Sequence, residues 1–125
     1  MARTKITKAE RAIFEEEFWR CWRLFGINDY DVSVERAKLE PHALAEVNTD
    51  LVQRRAFVYL AKTRDADYPL TEESLKRAAM HECVHVLLGP MWEVGRSRLI
   101  TQDELTSAAE GVTRRVASII RGLEG

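Results

Sequence analysis

The chain has 125 residues, of which 46% are hydrophobic and 31% are charged, and these proportions are typical of an ordinary globular domain. Its 19 basic and 20 acidic side chains leave a formal charge of −1, which excludes a bulk electrostatic attraction to nucleic acid or to an anionic membrane. The length suits a single domain, residues 1–125, with one hydrophobic core.

The N-terminal ten residues lack the apolar segment of a secretory signal, and no run approaches the roughly 18 apolar residues of a membrane span. We therefore expect a cytoplasmic protein. Its two cysteines, Cys21 and Cys83, fall in predicted helices, which favours reduced, buried thiols over a disulfide framework.

The first predicted helix covers residues 8–25. Thr7 and Glu10 have the spacing of a capping box, apolar residues then recur at helical intervals, and Gly26 ends the run. Many of these apolar residues are aromatic, and the pattern is typical of a helix that packs one face against a core.

Three short strands are predicted next. Residues 30–35 alternate between apolar and polar, Pro41 interrupts the pattern, residues 43–47 form a weaker strand, and residues 55–61 form the third. Parallel pairing needs connections of about a dozen residues, whereas these strands are joined by short turns, so we expect an antiparallel sheet. The polar residues 62–69 are expected to form a loop.

A second helix is predicted from Thr71, which caps it, to Leu88, before Gly89 and Pro90 end it. The acidic residues in its first turn interact favourably with the helix dipole and so stabilise the helix. The rest of the helix is apolar nearly all round, which indicates a central, buried position.

This helix contains the sequence His81-Glu82-Cys83-Val84-His85. Residues four apart share one helix face, so both imidazoles can reach a single ion, with Glu82 beside them. A Zn²⁺ ion held by two imidazoles and a carboxylate, with one open position, lowers the pKa of a bound water to about 7, and a neighbouring glutamate can accept the remaining proton. The pattern therefore indicates zinc-dependent hydrolysis with Glu82 as general base. Cys83 projects away from both histidines and is interpreted as a core residue.

The third ligand has to come from elsewhere, because catalytic zinc normally has three protein ligands. A final helix is predicted from a capping box at Thr101 and Glu104, and Glu110 lies on a flank of that helix among small side chains. We place the third ligand at Glu110. The alternatives are Glu93 in a loop, and Asp103 and Glu104 at the helix start, where capping and dipole roles account for them.

The segments that carry these residues resemble the corresponding segments of a known protein family. A strand region, a helix reading Ala79 to Leu88 and a later helix reading Ala109 to Val116 resemble the small gluzincin-type zinc metallopeptidases. The chain looks most like the minigluzincin and SprT-like proteins that phages and prophages often encode. The resemblance covers roughly residues 30–120, and only the first motif is specific.

The resemblance implies a zincin-like α+β fold, zinc as cofactor, His81, His85 and Glu110 as ligands, and Glu82 as general base. In such folds a strand ahead of the motif helix pairs with an extended peptide substrate. Residues Arg55 to Leu60 are the candidate for that strand.

Peptide hydrolysis also needs a group that stabilises the oxyanion. The sequence offers five candidates without choosing among them: Tyr59, Tyr68, His42, Arg98 and Arg114. Two other functions stay open. One is a non-catalytic, zinc-stabilised module that binds a protein partner, and the other is a protease associated with nucleic acid, which the near-zero net charge disfavours.

Overall fold

The computed structural model describes residues 3–27, 30–50, 53–67, 70–89 and 102–124, apart from the side chains at positions 104, 105, 108, 112, 115, 118, 119 and 124. The elements, in chain order, are β1 (Arg3–Lys5), α1 (Lys8–Phe25), β2 (Asp31–Ala37), β3 (Ala45–Asp50), β4 (Arg55–Ala61), β5 (Thr63–Asp65), α2 (Glu72–Leu87) and α3 (Gln102–Glu124). Within the described residues the fold is mixed α/β, with one three-stranded and one two-stranded sheet.

The first helix has the predicted bounds and the predicted cap. The Thr7 hydroxyl accepts a hydrogen bond from the Glu10 backbone N–H at 3.1 Å, and the Glu10 carboxylate accepts one from the Thr7 N–H at 2.8 Å. Gly26 follows the helix with a φ of 65°, a left-handed conformation that favours glycine. Both ends of α1 are therefore fixed by local hydrogen bonds that the sequence predicts.

The three-stranded sheet is mixed, so the prediction of an antiparallel sheet is wrong in part. Its order is β2-β4-β3; β3 pairs with β4 antiparallel, but β2 pairs with β4 parallel, from Asp31 opposite Arg55 to Ala37 opposite Ala61. The prediction assumed that each strand pairs with the next one in the chain, whereas β2 pairs with β4 and β3 lies between them in the sequence. The chain between them, residues 38–54, contains β3 and is long enough for a parallel crossover.

Two further differences concern polar segments. Residues 48–50, predicted as a turn, extend β3, because Asn48 pairs with Phe57 and Asp50 with Arg55. Residues 63–65, predicted as loop, form β5 and pair with the short N-terminal strand β1. Polar side chains suit these edge positions, where one face of the strand meets solvent.

Helix α2 lies at the centre of the molecule, as predicted. Ala79, Met80, Cys83 and Val84 are fully buried in the core cluster, which also contains residues from α1, β4 and α3. Thr71 caps the helix by accepting a hydrogen bond from the Ser74 N–H at 3.0 Å. Cys21 and Cys83 are both buried and do not form a disulfide, and burial raises the pKa of the Cys83 thiol.

Helix α3 runs antiparallel to α2. Arg121, near the end of α3, forms an ion pair with Glu73 in the first turn of α2, whereas Glu110 lies against the later turns of α2. The capping box predicted at Thr101 and Glu104 and the predicted loop 91–100 lie outside the described residues.

Candidate metal centre

Three side chains converge between helices α2 and α3. His81 and His85 lie one turn apart on α2, and Glu110 reaches them from α3. Because α2 is anchored in the core by its opposite face and α3 packs along it, these three positions rest on two rigid elements. The sequence-predicted ligands are therefore brought together by the fold.

The donor atoms are close enough to share one ion. Glu110 Oε1 lies 2.7 Å from Nε2 of His85, Glu110 Oε2 lies 3.3 Å from Nε2 of His81, and the two Nε2 atoms are 3.2 Å apart. Tetrahedral zinc with ligands at about 2.0–2.2 Å places those ligands roughly 3.3 Å from one another. The two imidazole nitrogens have this spacing, and one donor atom from each of the three residues lies within 4.8 Å of the others.

Protonation at His85 also suits a metal ligand. Burial lowers the pKa of His85, while the charge of Glu110 and a hydrogen bond to it act in the opposite direction, and His81 lowers the pKa further. The lowered pKa favours the neutral imidazole, which has the lone pair that coordinates a cation.

Glu82 lies next to the three donors and is 6% exposed. Its Oε2 atom is buried and has no hydrogen-bond partner among the described residues. Burial, followed by the charges of Glu110 and Glu46, raises the pKa of Glu82 to about 8. A divalent cation held by His81, His85 and Glu110 would lower that pKa, because opposite charge stabilises the carboxylate. A buried carboxylate oxygen without a described partner, beside three possible metal donors, is therefore an observation that favours a cation here.

The alternative ligands do not join this group. Asp103 is exposed in the first turn of α3 and is not in the cluster of possible donors that the described residues contain. Glu93 and the side chain of Glu104 lie outside the described residues. Glu110 is the described carboxylate that reaches both histidines.

The three donors and Glu82 line a large open cleft of about 1440 Å³. One wall is β3 with the preceding residues 41–44, the others come mainly from α2 and α3, and β5 and Leu70 also contribute to the lining. Pockets for small molecules are usually about 300–1,000 Å³, so this cleft has room for a segment of polypeptide.

The strand that borders the cleft is β3, and this corrects the expectation for Arg55 to Leu60. Those residues form the central strand β4, which is paired along its length with β2 on one side and β3 on the other, so its backbone groups are already used. The other edge of β3 is not paired with any strand that the structure describes.

The free edge of β3 offers backbone groups at every second residue. Leu44 O accepts a hydrogen bond from Ala61 N–H at 2.8 Å, which sets the alternation of the antiparallel ladder. The backbone N–H and C=O groups of Ala45, Val47 and Thr49 therefore point away from β4. All three residues line the cleft.

Two of the five oxyanion candidates lie in the cleft wall. His42 and Arg114 line the cleft, whereas Tyr59 is in β4 and is not among its lining residues. Tyr68 and Arg98 lie outside the described residues. The fold therefore leaves His42 and Arg114 as described candidates, one on each side of the cleft.

Sequence reasoning missed Glu46, whose charge acts on Glu82. It also missed the arginines that face the cleft beside the metal donors, Arg64, Arg77 and Arg121. No local pattern marks these residues, because their proximity depends on how the sheet and α3 pack around α2.

The described helices include none that is both long and apolar enough to cross a membrane. In comparisons with family models, with curated proteins and with solved structures, nothing matched the chain.

Proposed function

We infer that the protein is a zinc-dependent metallopeptidase of the small gluzincin type, in which His81, His85 and Glu110 hold the ion and Glu82 is the general base. The observation that carries this proposal is the convergence of three donors on one point beside a buried, unpartnered Glu82 oxygen. When bound, zinc supplies a Lewis acid that polarises a scissile carbonyl and lowers the pKa of water.

Other groups of the chain transfer the proton, bind the substrate and stabilise the oxyanion. Glu82 accepts a proton from the attacking water and delivers it to the leaving nitrogen, which its position beside the donors supports. The free edge of β3 binds the substrate backbone through the outward groups of Ala45, Val47 and Thr49. His42 or Arg114 stabilises the oxyanion from the cleft wall.

The metal assignment is tested by zinc content after exhaustive dialysis. Wild-type protein is expected to retain one zinc per chain, and His85→Ala and Glu110→Ala are expected to weaken zinc binding by more than about 100-fold, since even outer-shell changes cost about 10–100-fold. Glu35→Ala, an exposed glutamate on β2, is the control. Full zinc affinity in Glu110→Ala would remove Glu110 from the site.

The catalytic assignment is tested with Glu82→Gln and a mixed pool of unstructured peptides. The variant is expected to keep its zinc while its kcat falls by about 10²–10⁴-fold, because the proton acceptor is lost. Zinc-loaded wild-type protein that binds peptides without cleaving any of them would instead support the non-catalytic binding module.

A further inference from the structure

Four arginines line the cleft: Arg64, Arg77, Arg114 and Arg121. Arg77 lies one turn before His81, and Arg114 lies one turn after Glu110 on the antiparallel helix α3. Arg64 is in β5, in the part of the chain that leads into α2, and Arg121 lies opposite the first turn of α2. Arg77, Arg114 and Arg121 therefore place positive charge on the side of the donors towards the start of α2.

The carboxylates that pair with these arginines are set back from the cleft. Glu73 pairs with Arg77, at 3.5 Å, and also with Arg121, so two guanidinium groups share one carboxylate. Glu10 lies 4.0 Å from Arg64. Neither Glu73 nor Glu10 is among the residues that line the cleft. The four arginines therefore line the cleft, whereas these two paired carboxylates do not.

The acidic residues that line the cleft do not balance this charge locally. Glu82 and Glu110 belong to the metal centre, and Glu46 is on β3 close enough to act on Glu82. Asp65 is the remaining described acidic residue in the lining. Apart from Glu82 and Glu110, the described lining therefore carries four arginines against two carboxylates, and Glu73 neutralises part of the charge on Arg77 and Arg121.

We propose that the cleft selects polypeptide substrates that carry acidic side chains on one side of the scissile bond, with Arg77 and Arg114 as the main specificity-determining residues. This inference rests on the proposed peptidase function. Arg77 and Arg114 lie about 6 Å along their helices from the nearest metal donor, and Arg121 about 16 Å. At about 3.3 Å per residue of extended chain, the acidic positions fall roughly two to five residues from the scissile bond.

The expected preference is moderate, because the arginines are partly solvated. The side chain of Arg77 is 68% exposed and that of Arg121 is 28% exposed. Exposed charge pairs contribute little individually and are screened by salt. We expect acidic peptides to be cleaved about three- to tenfold faster, by kcat/KM, than neutral analogues at low salt, with the difference shrinking at high salt.

The experiment uses zinc-loaded full-length protein and peptides that are identical except for three adjacent positions, occupied by Asp and Glu, by Asn and Gln, or by Lys. The triplet is placed on either side of the scissile bond in separate peptides. The test variant is Arg77→Gln with Arg114→Gln, and the matched control is Arg36→Gln with Lys38→Gln, which removes the same charge from exposed residues that do not line the cleft. The acidic preference is expected to disappear in the test variant and to persist in the control.

Binding of the same peptides to zinc-loaded Glu82→Gln protein, by fluorescence anisotropy, separates this inference from the proposed function. If no peptide is cleaved by wild-type protein, the peptidase proposal fails, but tighter binding of acidic peptides that is lost on replacing Arg77 and Arg114 still supports the charge selection. Cleavage or binding without a charge preference, or a preference that survives in the test variant, overturns the inference.

Discussion

Glu82 has an unusual environment for a carboxylate among the described residues. It is 6% exposed, its Oε2 atom has no described partner, and its pKa is raised to about 8 by burial and by the charges of Glu110 and Glu46. A carboxylate in this setting is costly to ionise without a cation nearby. The stability of the metal-free protein should therefore depend on the proton that Glu82 holds.

The stability of the metal-free protein is expected to depend on pH. Between the unfolded pKa of 4.5 and the folded pKa of about 8, the folded state keeps a proton that the unfolded state has released. The free energy of unfolding of the metal-free protein should therefore fall as pH rises through that window. The lowered pKa of His85 opposes this trend below pH 6.5, so the clearest range is pH 6.5 to 8.

Urea unfolding of chelator-treated protein at several pH values measures the effect. Glu82→Gln, which has no proton to release, is the matched control and should show a flatter pH profile over the same range. Equal slopes in the two proteins would contradict the assignment of the proton to Glu82.

Helices α1 and α2 pack against each other through their apolar faces. Phe14, Phe18 and Cys21 of α1 are fully buried in the same cluster as Ala79 and Met80 of α2. The ring of Phe18 also contacts Trp19 and Trp22, with centroids 5.3 Å and 6.0 Å away. This packing fixes the face of α2 that carries the histidines.

A truncation in this interface tests its contribution. Phe18→Ala should lower the free energy of unfolding by about 3–5 kcal/mol, because a large buried ring is lost and a cavity remains. Leu24→Ala is the control, since Leu24 is on the same helix but is 54% exposed, and it should cost far less. Chemical denaturation of both variants gives the comparison, and similar losses would contradict the assigned α1 face.

A separate prediction concerns peptide binding at the free edge of β3. Val47→Pro removes an N–H that points away from β4, so the β3–β4 ladder keeps its hydrogen bonds while the edge loses one donor. Under the proposed function, KM for peptides should rise several-fold while zinc content stays at one per chain.

Val47→Ala is the matched control, because it loses similar apolar packing but keeps the backbone N–H. A rise in KM of the same size in both variants would attribute the effect to packing. Loss of zinc together with peptide binding in Val47→Pro would point to disruption of the fold.

At the scale of the whole molecule, the candidate metal centre links parts of the chain that are distant in sequence. Glu110 of α3 meets His81 and His85 of α2, and the pair of Arg121 with Glu73 joins the other ends of the same two helices. An ion held between α2 and α3 should stabilise the native state, because the unfolded chain does not hold the three donors together.

Thermal unfolding with and without zinc measures this linkage. Free zinc at 100 times Kd should add about 2.7 kcal/mol of stability and raise Tm by roughly 10 °C for a domain of this size. His85→Ala should show little or no shift. A shift of equal size in His85→Ala would place the stabilising zinc elsewhere on the protein.

Much of this arrangement follows from the sequence alone. The bounds of α1, the cap of α2 and the buried character of α2 depend on hydrogen bonds and periodicity within a few residues, and the structure agrees with each. The choice of Glu110 as partner of the histidines rested on its phase in the last helix, and the structure brings its carboxylate within 3.3 Å of both imidazoles. Helical phase is predictable because 3.6 residues per turn fixes which side chains share a face.

Tertiary structure decided the features that involve contacts between distant residues. The parallel pairing of β2 with β4 places β4 in the centre and β3 at the edge, so the strand that borders the cleft is β3 and not Arg55 to Leu60. The collection of Arg64, Arg77 and Arg121 around one cleft likewise depends on where β5 and α3 pack. Strand order and cleft composition are set by the burial of the whole core, and no short stretch of sequence contains that information.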